Sequence, residues 1–432
     1  MFGSRRLLVP AAGTPLLLLV AAGVACTASG TRDGSDVPDA HREGEAEPPD
    51  IGADDAPGDV GADAPDGNDG PPEDTADSDA VDVTPPPCGV GPVRITPEGR
   101  NVSGGWKISD GHLSYNTSEA DGMWVVDLRT GEEERICSAR GYSEGESCGT
   151  GFVHDGRVVW NLVDRVDGAA ERRVRTYIRD AIGEAPRLLW DSTEHSGKRV
   201  LAWGFNGTYL LWEKSAPNPP VDPLSEIHIL NVDTLEDRVM ASGTYPWSVV
   251  GHADLWGDRF VYQELVDSSQ ARVMMHQIST GVTTAIGDSP CDHYDPSIWE
   301  DRVAWIDSRN EECSGGYWVC ENPDVYVRFP GDGGQMVEDE GSIQQHVDIF
   351  GDWVVWDDER NDVTPNISDA LGPDGRLEVF AHNLATGEAR LLTGTMLGTG
   401  GNSPQVWDTR AFFEARIDGV TREYAVYMVC LE

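Results

Sequence analysis

Pro296-Ser297-Ile298-Trp299-Glu300-Asp301-Arg302-Val303-Ala304-Trp305-Ile306-Asp307-Ser308-Arg309-Asn310 reads as a short strand, a Glu-Asp turn, and an apolar strand ending in an aromatic residue. Gly351-Asp352-Trp353-Val354-Val355-Trp356-Asp357-Asp358-Glu359-Arg360-Asn361 repeats the turn, the apolar strand and the Asp-x-Arg-Asn ending. Asp155-Gly156-Arg157-Val158-Val159-Trp160 and Gly257-Asp258-Arg259-Phe260-Val261-Tyr262 are further copies, and weaker ones end at Tyr115, Trp212 and Phe413. The seven aromatic ends are separated by 45, 52, 50, 43, 51 and 57 residues. A period of about 40–50 residues holding about four strands is the mark of propeller blades. The second half of each period agrees. Residues 123–128, 273–278 and 378–384 alternate in polarity and lead into Thr130-Gly131, Thr280-Gly281 and Thr386-Gly387, after which one more strand follows. We name the four strands a to d from the channel outward.

The seventh copy ends at Glu432 just after its third strand, while Val93-Arg94-Ile95-Thr96 stands before the first copy without a blade of its own. Pairing these two would complete blade seven and remove the exposed sheet edges that invite aggregation. This favours seven blades over six or eight. The expected fold class is therefore all-β, a seven-bladed β-propeller closed by an N-terminal strand.

The repeat resembles the TolB-type, WD40-like propeller repeats of bacterial and archaeal surface proteins, through residues 296–310 and 351–361. The resemblance covers residues 92–432, closely in blades five and six and loosely in blades one, three and seven. It implies a fold and an envelope location, not an activity, since one propeller scaffold carries many functions.

Three segments precede or make up this organisation. Residues 1–25 read as a signal peptide: Arg5 and Arg6 give the charged start, residues 16–24 the apolar run, and Ala21, Ala22, Gly23 and Ala25 the small residues before cleavage. Gly23-Val24-Ala25-Cys26 resembles the lipobox of bacterial lipoproteins, although Gly23 stands where that family prefers Leu. The resemblance makes Cys26 the site of lipid attachment; plain secretion is the alternative. Residues 26–87 follow as a disordered linker of Asp, Glu, Pro, Gly and Ala, too poor in apolar side chains to offset the entropy of ordering. Residues 88–432 form the propeller.

The leader carries +2 and the linker −16, which leaves −29 of the total −43 on residues 88–432. Such a domain repels phosphate backbones, so nucleic acid is not an expected partner, and anionic lipid is not attracted electrostatically. The expected partners are an envelope protein or a glycan, with the membrane engaged through the lipid anchor alone and the chain monomeric.

An exported chain places its cysteines where disulfides persist. Cys88 precedes the orphan strand and Cys430 ends the last one, so closure brings them together. Cys137 and Cys148 flank a short loop. Two of Cys291, Cys313 and Cys320 can pair, either Cys313 with Cys320 or Cys291 with Cys313. Without a Cys-x-x-Cys pair, a zinc site is not indicated.

Long insertions follow strand b at residues 161–172, 213–225, 307–323 and 357–376, all on the face where b–c and d–a connections emerge. Binding sites concentrate on such loops. At the start of strand a, His252-Ala253-Asp254, His293-Tyr294-Asp295 and His346-Val347-Asp348 read as one point in blades four, five and six. Three His and three Asp near one axis are a donor set for a divalent metal; the plainer reading is that they bond backbone groups of the repeat. Asp307, Arg309, Asp358 and Arg360 are candidates for binding a glycan or carboxylate, or for pairing with each other. No cofactor other than such a metal is indicated, and no catalytic residue is assigned, because nucleophile elbow, His-Glu-x-x-His, P-loop and dinucleotide motifs are absent.

The expected function is that of a non-catalytic binding or scaffold lipoprotein of the cell envelope, acting through the loop-rich face. The alternative is a metal-dependent, carbohydrate-active enzyme. The resemblance implies that one too, since some TolB-like propeller lyases hold a metal with histidine in this region.

Overall fold

The computed structural model describes Cys88 and residues 91–432 apart from 118–121, 139–145, 166–171, 193–198, 216–223, 245–249, 268–269, 288–292, 310–322, 330–333, 339–341, 361–376, 394–400 and 418–422. The expected signal peptide, the lipid-attachment Cys26, the linker and Cys291, Cys313 and Cys320 lie outside the described residues.

The chain forms seven four-stranded antiparallel sheets. Six run through consecutive strands, spanning residues 102–137, 146–191, 199–244, 250–286, 293–338 and 344–391 as blades one to six. The seventh combines Gly401–Trp407, Arg410–Arg416 and Tyr424–Cys430 with Val93–Arg94 as its outermost strand. Val93 pairs with Met428 and Arg94 with Tyr427, and the Ile95 amide continues the ladder to the Val426 carbonyl at 2.9 Å. The ring is closed as the orphan strand required. A Cys88–Cys430 disulfide fastens this closure across 342 residues, and a Cys137–Cys148 disulfide ties blade one to blade two.

The aromatic residues at the ends of strand b hold the ring together. Tyr115, Trp160, Trp212, Tyr262, Trp305, Trp356 and Phe413 are all buried. Each packs against the preceding blade, so the core is seven apolar clusters, one per inter-blade interface. Trp160, for example, packs on Met123, Val125 and Ile136 of blade one, and Trp356 on Ala304, Ile306 and Val325 of blade five. A core divided this way stabilises only a complete ring, because an unpaired blade leaves one apolar face in water.

On the side of the a–b and c–d turns the connections are short. Asp110-Gly111 and Asp155-Gly156 have positive φ at both residues, the conformation that lets a two-residue hairpin follow the strand twist. These turns also stitch neighbouring blades. The Arg157 guanidinium donates to the Gly207 carbonyl, Asn206 to the Gly257 carbonyl, and Arg302 to the Gly351 carbonyl. The opposite side holds the starts of strand a and the ends of strand b, and with them the mouth of the channel.

Candidate functional site at the channel mouth

Strand a of blades four to seven shares one irregularity. In Val250–Trp256, His293–Trp299, Gln344–Phe350 and Gly401–Trp407 the ladder to strand b slips near its start. His252, Asp295, His346 and Ser403 stand at the slips with φ of 42°, 48°, 48° and 50°. His and Asp tolerate this left-handed region better than most side chains. A bulge there re-aims the side chain, and all four residues line a cavity of about 180 Å³ at the channel mouth.

The bulges correct one reading of the sequence. His252-x-Asp254 and His346-x-Asp348 are equivalent, but in blade five the same two positions are Asp295 and Ser297. His293 falls two residues earlier. It is buried away from the mouth, with Nε2 3.0 Å from Asp307 Oδ2. The three histidines therefore do not converge, and among the described residues no group of three or more His, Cys, Asp or Glu is arranged to hold a metal ion.

What the bulges do build is a chain of ion pairs. His252 Nδ1 donates to Asp295 Oδ1 at 2.7 Å. Asp295 is also hydrogen-bonded by the His346 backbone. His346 Nδ1 donates to Asp357 Oδ2 at 2.9 Å, and the Ser403 amide donates to the same oxygen at 3.0 Å. Each carboxylate thus caps the bulge of the next blade while holding a histidine. The charge of Asp357 pushes His346 up to about 9 against the effect of burial. Burial opposes charging of His252, yet the Asp295 hydrogen bond and charge raise it above the ordinary imidazole value. Burial would likewise raise Asp295, but the His252 hydrogen bond and charge hold it below the usual carboxyl range.

Two residues further along strand a lies a second layer: Asp254, Ser297, Asp348, Gln405 and, from blade one, Lys107. Asp254 accepts the Ile298 amide at 2.9 Å and Asp348 the Val406 amide at 2.8 Å. Gln405 accepts the Ile108 amide and donates to the Trp106 carbonyl. Ser297 Oγ lies 3.0 Å from Asp254 Oδ2 and 2.6 Å from Asp348 Oδ1. One hydroxyl proton cannot serve two carboxylates, so the triad is complete only when a carboxyl returns a proton. Asp348 is that group: burial first, and the Asp254 charge second, raise it to about 6.

Asp307, Arg309, Asp358 and Arg360 turn inward on each other. Asp307 Oδ2 accepts the Trp305 indole at 3.0 Å and the Arg309 guanidinium at 2.6 Å, and Asp358 repeats this with Trp356 and Arg360. Both carboxylates are fully buried. Arg309 lies over the Tyr326 ring at 4.2 Å and Arg360 over Phe380 at 4.0 Å. Burial disfavours ionisation of Asp307, but His293, Arg309 and Trp305 hold it down to about 2. The repeated Asp-x-Arg is thus an internal staple of strand b, not an open anion site.

Lys107, Trp203, Ser403 and Asp357 belong to the mouth and carried no motif. Asp357 had a legible signal: the residue after the strand-b aromatic is polar in six blades, as Asn116, Asn161, Glu213, Gln263, Asp357 and Glu414, and Ile306 only in blade five. Trp203 is placed by its indole, which donates to Glu213 Oε2 at 3.1 Å, and its ring lies 5.6 Å from that of His252. At the turn end of the channel Trp256, Trp299 and Phe350 gather, with centroids 5.5–6.1 Å apart.

No family model matches this chain, and no curated protein matches its sequence. Solved structures do. A prolyl endopeptidase shares a TM-score of 0.54 at 12% identity, over 76% of this chain and 50% of that one. An oligogalacturonate lyase from Vibrio parahaemolyticus shares a TM-score of 0.51 at 12% identity, over 79% of this chain and 93% of that one. The chain spans about half the length of that endopeptidase. At this identity the likeness establishes the fold alone. The protein is a seven-bladed β-propeller with disulfides suited to a compartment outside the reducing cytoplasm.

Proposed function

We propose that this protein is a non-catalytic binding lipoprotein of the cell envelope, with a TolB-like, WD40-like propeller that engages its ligand or partner at the loop-rich channel mouth. Cys26 carries the lipid and residues 26–87 are the tether. One observation carries the binding reading: every histidine–carboxylate contact at the mouth joins protein to protein, and His293, which a three-histidine metal centre would need, is buried on Asp307. A catalytic metal site keeps an open coordination position with its ligands convergent, and this set does not converge. The Asp-x-Arg pairs are likewise spent within the blades.

The test uses the purified, lipidated chain. Metal content is measured, and envelope extracts are passed over wild type and a His252→Gln/His346→Gln variant. The binding reading expects no stoichiometric metal and a specific capture that the variant loses while a turn-face variant, Asp301→Asn, keeps it. Tightly bound Mn or Zn, together with depolymerisation of an acidic polysaccharide that the double variant abolishes, would replace it with the metal-dependent, carbohydrate-active alternative.

A further inference from the structure

Resting on the binding reading above, we propose that the channel mouth takes a carboxylate group of its ligand, held by the Nε2–H edges of His252 and His346 and by the Lys107 ammonium, beside the Trp203 ring.

The argument is an inventory of hydrogen-bonding capacity in the cavity wall. Its carboxylates already accept from the protein. Asp295 takes His252 and the His346 backbone, and Asp357 takes His346 and the Ser403 amide. Asp254 takes the Leu255 and Ile298 amides and the Ser297 hydroxyl, and Asp348, the carboxyl that returns a proton to Ser297, takes the Val406 amide. Its donors are not spent. Among the described residues Lys107 Nζ, whose charge acts on Asp348, and the Nε2 of either histidine make no hydrogen bond, and the two imidazoles are half exposed, at 48% and 45%. A wall whose carboxylates are already engaged by the protein and whose cationic N–H groups face the cavity favours an anionic acceptor.

Nδ1 of each ring faces a carboxylate, which turns Nε2 toward the cavity. In the protonated ring that edge donates to an anion, whereas the neutral tautomer would offer a lone pair to a cation, and the metal measurement above separates the two.

Size and charge narrow the class. A cavity of about 180 Å³ is smaller than the roughly 300–1,000 Å³ of pockets that enclose whole ligands, so it receives one group of a larger molecule. The domain's −29 disfavours a dianion such as phosphate more than a monoanion. Beyond about 10 Å that field is screened by salt, so a carboxylate at the mouth is governed by the donors that touch it. Trp203, Pro296 and Pro404 complete the wall with flat apolar surface, which suits a planar body next to the carboxylate.

The probe is benzoate, with benzamide as its neutral isostere and inorganic phosphate as a second anion, read by saturation-transfer NMR at physiological salt on the full chain. Saturable benzoate binding is expected, with benzamide and phosphate at least about tenfold weaker, the ratio expected for losing one charge-assisted hydrogen bond. Lys107→Met should weaken benzoate by about tenfold with melting temperature unchanged, His346→Gln should weaken it by about tenfold in a protein that stays folded although Asp357 loses its charged partner, and Asp301→Asn on the turn face should not. Equal binding of benzoate and benzamide, or benzoate binding indifferent to both mouth substitutions, overturns the proposal. If a partner captured through the mouth is not competed by benzoate, the carboxylate claim falls while the binding reading stands. If nothing is captured through the mouth, the binding reading falls with it.

Discussion

At the scale of single residues, a fully buried aspartate, Asp307, and one that is part-buried at the cavity, Asp348, are set in opposite directions. Asp307 sits among three donors and is held at about 2, below the ordinary carboxyl value of roughly 4. Its contribution, on the order of 2 kcal/mol, is present above pH 4 and lost as pH falls through 2. Asp307→Asn should destabilise the protein by about 3 kcal/mol at pH 7, because it leaves the Arg309 charge half-paired in a buried setting; urea unfolding measures it. Asp348 is the reverse case. Burial and the Asp254 charge raise it to about 6, so the fold favours its neutral form. The stability it contributes is present below about pH 4 and lost as pH rises through 6. Asp348→Asn keeps an acceptor for the Val406 amide and a donor for Ser297. The variant should therefore match wild type near pH 4 and exceed it at pH 8. A variant that loses stability equally at both pH values would show that Asp348 is ionised in the fold throughout.

At the scale of elements, the strand-b aromatics and the strand-a bulges differ in how legible they were. Trp305 and Trp356 could be read from sequence because burial in a blade interface demands a large apolar side chain at a fixed point of each repeat. The bulges could not, because His252, Asp295, His346 and Ser403 adopt positive φ without the glycine that would have announced it. A one-residue slip exchanges the two faces of a strand, which is why His293 leaves the mouth and Asp295 enters it. The Asp-x-Arg ending was visible as a repeat, but its inward direction depends on the Trp two residues before it. The elements also differ in what they hold. Trp356→Ala empties a fully buried site between blades five and six and should cost about 4 kcal/mol. Trp256→Ala, on a residue 38% exposed at the turn end of the channel, should cost less than half of that. Equal losses would mean that the aromatic cluster at that end, not the inter-blade core, carries the ring.

At the scale of the molecule, seven interfaces and seven apolar clusters leave no blade with a free face, and this depends on a strand of two residues, Val93–Arg94. Ile95 and Val102 share the last cluster with Phe412, Val426 and Met428, so the closing segment is packed as well as hydrogen-bonded. The mouth inherits its geometry from the ring. Its contacts run from blade four to blade seven: His252–Asp295 joins blades four and five, the His346 backbone joins five and six, and the Ser403 amide joins six and seven, while His346–Asp357 lies within blade six. Gln405 then joins blade seven to blade one at the Ile108 amide. A ring that opened would separate these partners. Peptide-level hydrogen exchange on the intact chain tests closure most directly. If the ring is closed, the Ile95 amide and those of Tyr424–Cys430 that face the first strand exchange as slowly as the amides of Trp353–Asp358. Fast exchange at Ile95 and along one edge of Tyr424–Cys430, with Arg410–Arg416 still protected, would mean an open sheet edge there and no shared mouth.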